Sequence, residues 1–280
     1  MPELPETETI ARDLDAALRG ASVVTVEIVR ADVLRDTTPT ALRREIADAT
    51  IHGVRRRAKS IVLDCANSAS DPATSSGHHL VVTPRFTGAL LLTAPRDDRY
   101  TCLRFVFADG RTLRYHDIRR LGTVAWQDAT RHTAWQTALG PEPLDPAFDT
   151  EAFWASIHGS RQAIKSILMD QRKLAGVGNI YANEALFRAR IRPTRAARSL
   201  RRREFDMLLH AVRDVLAASI ALRGTTFRDF QDAYGARGGF AAHLAVYGRA
   251  DAPCLTCGTA LRATHRLAGR QTVWCPTCQR

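Results

Sequence analysis

The chain has 280 residues, 45% hydrophobic and 25% charged, enough for two ordinary domains and too balanced for a disordered, collagen-like or disulfide-dense chain. Its net charge of +11 is lopsided: residues 1–150 hold 19 basic and 20 acidic side chains, whereas residues 151–280 hold 21 and 9. A basic half beside a neutral one points to a polyanionic partner, nucleic acid ahead of a membrane surface. The sequence contains no apolar run of about 18 residues, and its start, MPELPETE, is acidic rather than leader-like. A soluble cytoplasmic protein without a membrane partner is therefore expected.

In chain order, Ile10, Leu14, Ala17 and Leu18 recur three or four apart before Gly20, which predicts an amphipathic helix. Segments 21–30, 60–66, 79–83, 88–93, 101–107, 111–115 and 122–126 alternate or run apolar between turn residues, the pattern of a β-sandwich or barrel. Residues 67–77 (NSASDPATSSG) read as a solvated loop, and GPEPLDPAFDT, with three prolines, as a linker. The period then lengthens, predicting helices near 151–157, 161–169, 179–188 and 200–222. The last of these carries a stripe of Phe205, Leu208, Leu209, Val212, Val215 and Leu216. Residues 224–240 hold four glycines, at 224, 235, 238 and 239, and are expected to be mobile. The predicted organisation is a sandwich over 1–139, a linker over 140–150, a helical DNA-binding domain over 151–245 and a zinc finger over 246–280.

The finger rests on Cys254-x2-Cys257-x17-Cys275-x2-Cys278. Two C-x-x-C pairs joined by a hairpin-length segment can close a tetrahedron of thiolates around one structural zinc ion, with no position open for water. Two disulfides are the alternative, disfavoured in a reducing compartment. Cys65 and Cys102 sit in strand-like apolar stretches and read as buried hydrophobes, and His265 reads as a surface residue.

The first six residues carry the other chemistry. Met1 precedes the small Pro2, a context in which the initiator methionine is normally removed. The secondary amine so exposed belongs to a class with a reference pKa of about 7.7–8.0 against about 10.4 for lysine. Such an amine can attack an aldehyde-level carbon and form an iminium. Glu3 and Glu6 lie three apart, on one face of the opening helix, where paired carboxylates can shuttle protons. Proline and glutamate also suit any first helical turn for reasons of φ and dipole, so the pattern alone leaves both readings open. Gly176-x-Gly178-Asn179 reads as a tight turn feeding a helix, whose N–H groups and Asn179 amide can face a phosphate.

Read together, these motifs resemble bacterial formamidopyrimidine-DNA glycosylase, of the helix–two-turns–helix glycosylases. The likeness is carried by Met1-Pro2-Glu3-Leu4-Pro5-Glu6 with Thr7-Glu8-Thr9; Arg56-Arg57-Ala58-Lys59; Tyr115-His116-Asp117-Ile118-Arg119-Arg120-Leu121-Gly122; Leu139-Gly140-Pro141-Glu142-Pro143-Leu144; Gly176-Val177-Gly178-Asn179-Ile180-Tyr181-Ala182; Gly224-Thr225-Thr226; Tyr247-Gly248-Arg249; and the four cysteines. It spans the whole chain.

The resemblance implies an α+β multidomain protein and a monomer, in which an N-terminal β-sandwich with its catalytic helix joins a helical domain and a four-cysteine zinc finger, damaged double-stranded DNA lying across the cleft. It implies a bifunctional base-excision-repair enzyme: Pro2 attacks C1′ of an extruded nucleotide, expels 8-oxoguanine or a formamidopyrimidine, and cleaves the strand by β,δ-elimination. Glu3 is then the proton donor and acceptor, Glu6 its support, and Lys59, one of only three lysines, a phosphate contact that assists. Asn179 and Arg270 become phosphate anchors, and residues 224–240 fall where the family places its lesion-capping loop.

The gap left in the duplex is filled in the family by a methionine, an arginine and a phenylalanine. Here those places hold Phe86, in Thr83-Pro84-Arg85-Phe86-Thr87-Gly88, then Arg119 and Leu121, which opens the opposite-base preference and lesion range. An endonuclease VIII-type enzyme for oxidised pyrimidines is the close alternative, against which Leu4 and the long 224–240 segment speak. A non-catalytic DNA-damage binder is the distant one, against which Pro2, Glu3 and Lys59 speak.

Overall fold

The computed structural model describes residues 2–67, 77–95, 97–267 and 269–280. The loop expected at 67–77 therefore lies, apart from its two ends, outside the described residues, as does Met1. In chain order the first half forms α1 (Leu4–Leu18), β1 (Val23–Ile28), β2 (Leu34–Arg35), α2 (Pro39–Ile46), β3 (Ala49–Arg57), β4 (Ser60–Asn67), β5 (His78–Thr83), β6 (Gly88–Leu91), β7 (Thr101–Phe107), β8 (Thr112–Asp117), β9 (Thr123–Gln127) and α3 (Ala129–Thr137). The second forms α4 (Thr150–Ile157), α5 (Ile164–Met169), α6 (Asn179–Arg188), α7 (Arg202–Ala221), β10 (Arg262–Thr264) and β11 (Thr272–Trp274).

Every strand expected from alternation is present. Two sheets, ordered β1-β7-β8-β6 and β2-β9-β5-β4-β3, turn their apolar faces into one core. Val26, Leu90, Phe105 and Tyr115 come from the first sheet, and Ile51, Leu63, Leu80 and Trp126 from the second. The stripe Ile10, Leu14 and Leu18 of α1 enters the same core, each fully buried side chain of this size contributing ~1.5–3 kcal/mol of transfer free energy. Asp15 Oδ1 accepts the Val54 N–H at 2.7 Å and so pins α1 to β3.

Four elements of the first half escape the periodicity reading: β2, α2, β3 and α3. α2 buries only Leu42 and Ile46 and is fixed by its start, where Pro39 opens the helix and Thr38 Oγ1 accepts the Ala41 N–H. β3 ends in three arginines that look like a solvated run. Arg55 pairs with Asp64 on β4 at 2.9 Å and Arg56 with Glu8 on α1 at 2.8 Å, so neighbouring elements satisfy them within a strand.

Contacts divide the chain into two units: residues up to Thr137 together with Leu222–Gly239, and Ala138–Ala221 together with Phe240–Arg280. This departs from the expected boundaries in two places. The segment 222–239 leaves the helical half: the Leu92 N–H donates to Ala233 O at 2.8 Å, Arg223 pairs with Asp13 and Asp232, and Phe230 and Ala233 enter the sandwich core. The expectation that this glycine-rich stretch stands free as a mobile loop gives way to an anchored one. The proline-rich stretch at 140–150 packs into the helical unit, where the Ala175 N–H donates to Pro141 O and Arg213 donates to Pro143 O. In that unit α6 and α7 pack together, and Phe153 meets Phe205 edge to face at 5.7 Å. Among the described residues no helix is long and apolar enough to cross a membrane.

Candidate active site and phosphate contacts

Pro2 is buried ahead of α1. Glu3 and Glu6 are each 1% exposed. Burying a carboxylate is costly unless its oxygens are hydrogen-bonded, and Glu6 spends both on backbone donors. Oε2 accepts the Glu3 N–H at 2.8 Å and Oε1 accepts the Thr225 N–H at 2.7 Å. The 222–239 segment is thereby tied to the first helical turn.

Gly224 makes that contact possible. Its φ is +86°, and a Cβ there would lie 3.1 Å from Glu6 Cγ and Oε1 and from Phe230 Cε1. Gly224→Ala is expected to cost about 1–3 kcal/mol through backbone strain and displacement of this turn, read as a lower denaturant midpoint. An unchanged midpoint would contradict the close approach.

Lys59 is half-buried in the two-residue turn between β3 and β4, which Arg57 and Ser60 close as a pair. Ala58 ahead of it takes φ +54°, the left-handed backbone that tight hairpins require.

Phe86 and Arg119 come from different turns that the topology brings together. Residues 84–87 join β5 to β6, and residues 118–122 join β8 to β9. β5 pairs with β9 through Thr83 and Thr123 in one sheet, and β6 pairs with β8 through Gly88 and Asp117 in the other. Both turns therefore leave the sandwich side by side. The Arg119 guanidinium carbon lies 4.9 Å from the Phe86 ring centroid, a cation–π distance. Leu121 is 39% exposed and Ile118 45%, so apolar surface surrounds the pair.

In the helical unit, Asn179 opens α6 behind the Gly178 cap. Gln171 builds the preceding turn, its Oε1 accepting the Gly176 N–H and its Nε2 donating to Val177 O, both at 2.8 Å. Asn183, fully buried one helical turn on, donates to Asn179 O at 2.6 Å and to Asn179 Oδ1 at 3.3 Å, while its own Oδ1 accepts the Val273 N–H at 2.9 Å. One side chain thus orients Asn179 and holds β11. Arg270 is exposed in the turn between β10 and β11. Lys165, fully buried, donates to Gln271 O at 3.0 Å and Thr272 Oγ1 at 2.7 Å beside it.

The four cysteines converge. Their Sγ atoms all lie within 4.8 Å of one another, with Cys257–Cys275 at 3.5 Å and Cys254–Cys278 at 4.0 Å. A tetrahedron with metal–sulfur bonds of about 2.3 Å has edges of about 3.8 Å. The Thr256 and Cys278 N–H groups point at Cys254 Sγ and Cys275 Sγ, as donors to thiolates do. Hydrogen bonds from Thr259 pull the Cys257 thiol down to about 6, whereas burial and the neighbouring sulfurs push Cys278 up to about 12. Four sulfurs gathered in this space can hold one metal ion, and the donor set fits it. His265 is exposed. Cys65 and Cys102 are buried thiols, raised by burial to about 12 and about 11, which makes both poor nucleophiles.

Residues 1–124 match the formamidopyrimidine-DNA glycosylase N-terminal domain, and residues 139–231 match the formamidopyrimidine-DNA glycosylase H2TH domain. A formamidopyrimidine-DNA glycosylase of Thermomicrobium roseum is 40% identical over 299 residues, covering 100% of this chain and 99% of the relative. The chain belongs to the formamidopyrimidine-DNA glycosylase family. Its fold is similar to the crystal structure of the MutM (Fpg) protein of Thermus thermophilus, at TM-score 0.85 and 36% identity over 99% of this chain and 98% of that one. A complex between the Lactococcus lactis Fpg and DNA containing an abasic site matches at TM-score 0.87 and 29% identity, over 99% of each chain.

Against this family background, the sequence reading overlooked Gln171, Asn183 and Glu184. Glu184, 5% exposed, accepts the N–H groups of Ala245, Val246 and Tyr247 at 2.7–3.0 Å. These are polar residues on helical faces or in turns, and their partners lie from two to 90 residues away. Only the apolar neighbours of Asn183 and Glu184 in α6 hint that the two are buried.

Proposed function

We propose that this chain is a bifunctional DNA glycosylase and AP lyase of base excision repair that removes oxidised purines, such as 8-oxoguanine and formamidopyrimidines, from duplex DNA through the Pro2 nitrogen. The observation that carries the reading is the buried pair Glu3 and Glu6 beside Pro2, with Glu6 held by two backbone N–H groups. A catalytic carboxylate needs a fixed position relative to the sugar, and a neighbour that cannot swing supplies it.

With Met1 removed, the Pro2 nitrogen attacks C1′ of the extruded nucleotide, the bond from C1′ to the base breaks, and the base leaves with a proton delivered by way of Glu3. The C1′–nitrogen bond becomes an iminium once the sugar ring opens. Its positive charge acidifies the C2′ hydrogen, so loss of that proton expels the 3′ phosphate. A second loss, through the conjugated system, expels the 5′ phosphate, and water frees the amine. Lys59 holds a phosphate near the reacting sugar. Phe86, Arg119 and Leu121 fill the vacated stack, Phe86 by stacking and Arg119 by donating to the orphaned base. Asn179 and Arg270 grip the backbone, in the half that carries the positive charge.

Cys254, Cys257, Cys275 and Cys278 would hold a zinc ion. Its contribution is structural, since four thiolates leave no position for substrate.

End-labelled duplexes test the reading. One carrying 8-oxoguanine opposite C is expected to be cut to ends bearing phosphate on both sides of the gap, faster than a duplex carrying an oxidised pyrimidine. The opposite order would favour the pyrimidine enzyme, and no incision of either would sink the enzymatic reading.

A further inference from the structure

Asp117 sits inside the wedge region, yet its carboxylate is fully buried and faces no solvent. Of its four hydrogen bonds, three go to the two turns that carry Phe86 and Arg119, and the fourth goes to Tyr115 on its own strand, β8. Oδ1 accepts from Thr87 Oγ1 at 2.5 Å and from the Arg119 N–H at 3.2 Å. Oδ2 accepts from Tyr115 Oη at 3.1 Å and from the Gly122 N–H at 2.9 Å. Thr87 Oγ1 in turn accepts the Arg119 N–H at 3.0 Å. A carboxylate has about four lone-pair positions, and all of them are engaged.

The arrangement is built for closeness. A Cβ on Gly122 would lie 2.0 Å from Tyr115 Oη and 2.8 Å from Thr83 O, so only glycine lets the second turn return over the first. Burial, and then the charge of Asp117, push the Tyr115 phenol upward and keep it a donor. A carboxyl group buried in a core is a poor way to gain stability, because desolvation opposes its hydrogen bonds. What these bonds do accomplish is to lock turn 84–87 to turn 118–122 at the spacing that puts the Arg119 guanidinium over the Phe86 ring.

We infer that Asp117 is a positioning residue that makes Phe86 and Arg119 one rigid gap-filling unit, so that ring and guanidinium enter the vacated stack together. The inference rests on the reading of Phe86 and Arg119 as the residues that fill the gap. Misplacement by about 1 Å can cost a reacting complex about 100-fold. Loosening the turns therefore acts on extrusion of a stacked base and leaves the amine chemistry alone.

The test uses the full zinc-loaded chain and two variants, Asp117→Asn and Thr87→Val. The second removes the hydroxyl bridge while keeping the carboxylate, and decides alone if the first does not fold. Three readouts are compared at matched unfolding temperature and zinc content. They are single-turnover release of 8-oxoguanine from a duplex, the fluorescence rise of a 2-aminopurine beside the lesion, and cleavage at an abasic site in single-stranded DNA. Base release is expected to fall about 100-fold in Asp117→Asn and about tenfold in Thr87→Val, with the fluorescence rise lost or slowed in step and single-strand cleavage within about twofold of wild type. Unchanged base release and fluorescence, or an equal fall on duplex and single strand, would overturn the positioning role. Wild-type protein that gives the fluorescence rise but cleaves neither DNA would instead overturn the enzymatic reading, and the rise in the two variants would then decide the positioning role by itself.

Discussion

Protein in which the Pro2 nitrogen is blocked, by retained Met1 or an added residue, is expected to lose both base release and strand cleavage by on the order of 1,000-fold or more. Binding to a duplex with a stable abasic-site analogue should stay within a few-fold. The asymmetry follows from where the groups sit. In the proposed reaction the amine nitrogen is the one atom that bonds to C1′. The candidate binding groups, Asn179 and Arg270, belong to other elements altogether, the start of α6 and the turn before β11. A Glu3→Gln chain with a free Pro2 offers a contrast: the nucleophile remains, and the loss should be the ~100- to 10,000-fold expected of a missing proton-transfer group. Full activity in protein shown by mass spectrometry to retain Met1 would rule out Pro2 as the nucleophile.

Stripping the metal, or replacing Cys275 with Ser, should have the second largest effect. β10 and β11 are three residues each, joined by three residue pairs, and a two-stranded ribbon of that size does not hold itself. Structural zinc supplies about 10–16 kcal/mol in finger-sized peptides, far more than the small cluster around Val246, Leu261 and Val273 can replace. Without it the turn bearing Arg270 is expected to lose its frame, and with it the bonds that Lys165 donates to Gln271 and Thr272 and that the Val273 N–H donates to Asn183. DNA affinity should fall about 100-fold or more, with the far-ultraviolet signature of α4–α7 and the sandwich largely kept. Affinity unchanged after complete removal of the metal would show that the finger does not grip the backbone.

Much of this was legible in the amino-acid sequence because it is local. Ile10, Leu14 and Leu18 announce a helix by spacing, β7 and β8 announce themselves by alternation, and four cysteines at fixed intervals announce a cluster able to hold a metal. What stayed hidden depends on partners distant in sequence. α2 shows little apolar face, and β3 hides its alternation under Arg55, Arg56 and Arg57, the first two of which find their counter-charges on β4 and α1 and the third a carbonyl on α3. The glycines at 224, 235, 238 and 239 suggested freedom. Yet Gly224 is there because Glu6 lies against it, 218 residues earlier in the chain, and Phe230 and Ala233 anchor the segment in the core. The candidate site divides the same way. Pro2, Glu3 and the cysteines can be read from motif, whereas the stacking of Arg119 on Phe86 needs both sheets to end at one place. Asp117 stood inside a matched motif without a role, since nothing in a sequence says that a carboxylate has turned inward.

The central claim is that the N-terminal amine becomes covalently joined to the DNA. Incubating the metal-loaded protein, with Met1 verified absent, with abasic-site duplex and borohydride should reduce the iminium to a stable cross-link, and digestion followed by mass spectrometry should place the sugar remnant on Pro2. A cross-link mapped to Lys59 or any other residue, or none under conditions where the strand is cut, would contradict the account.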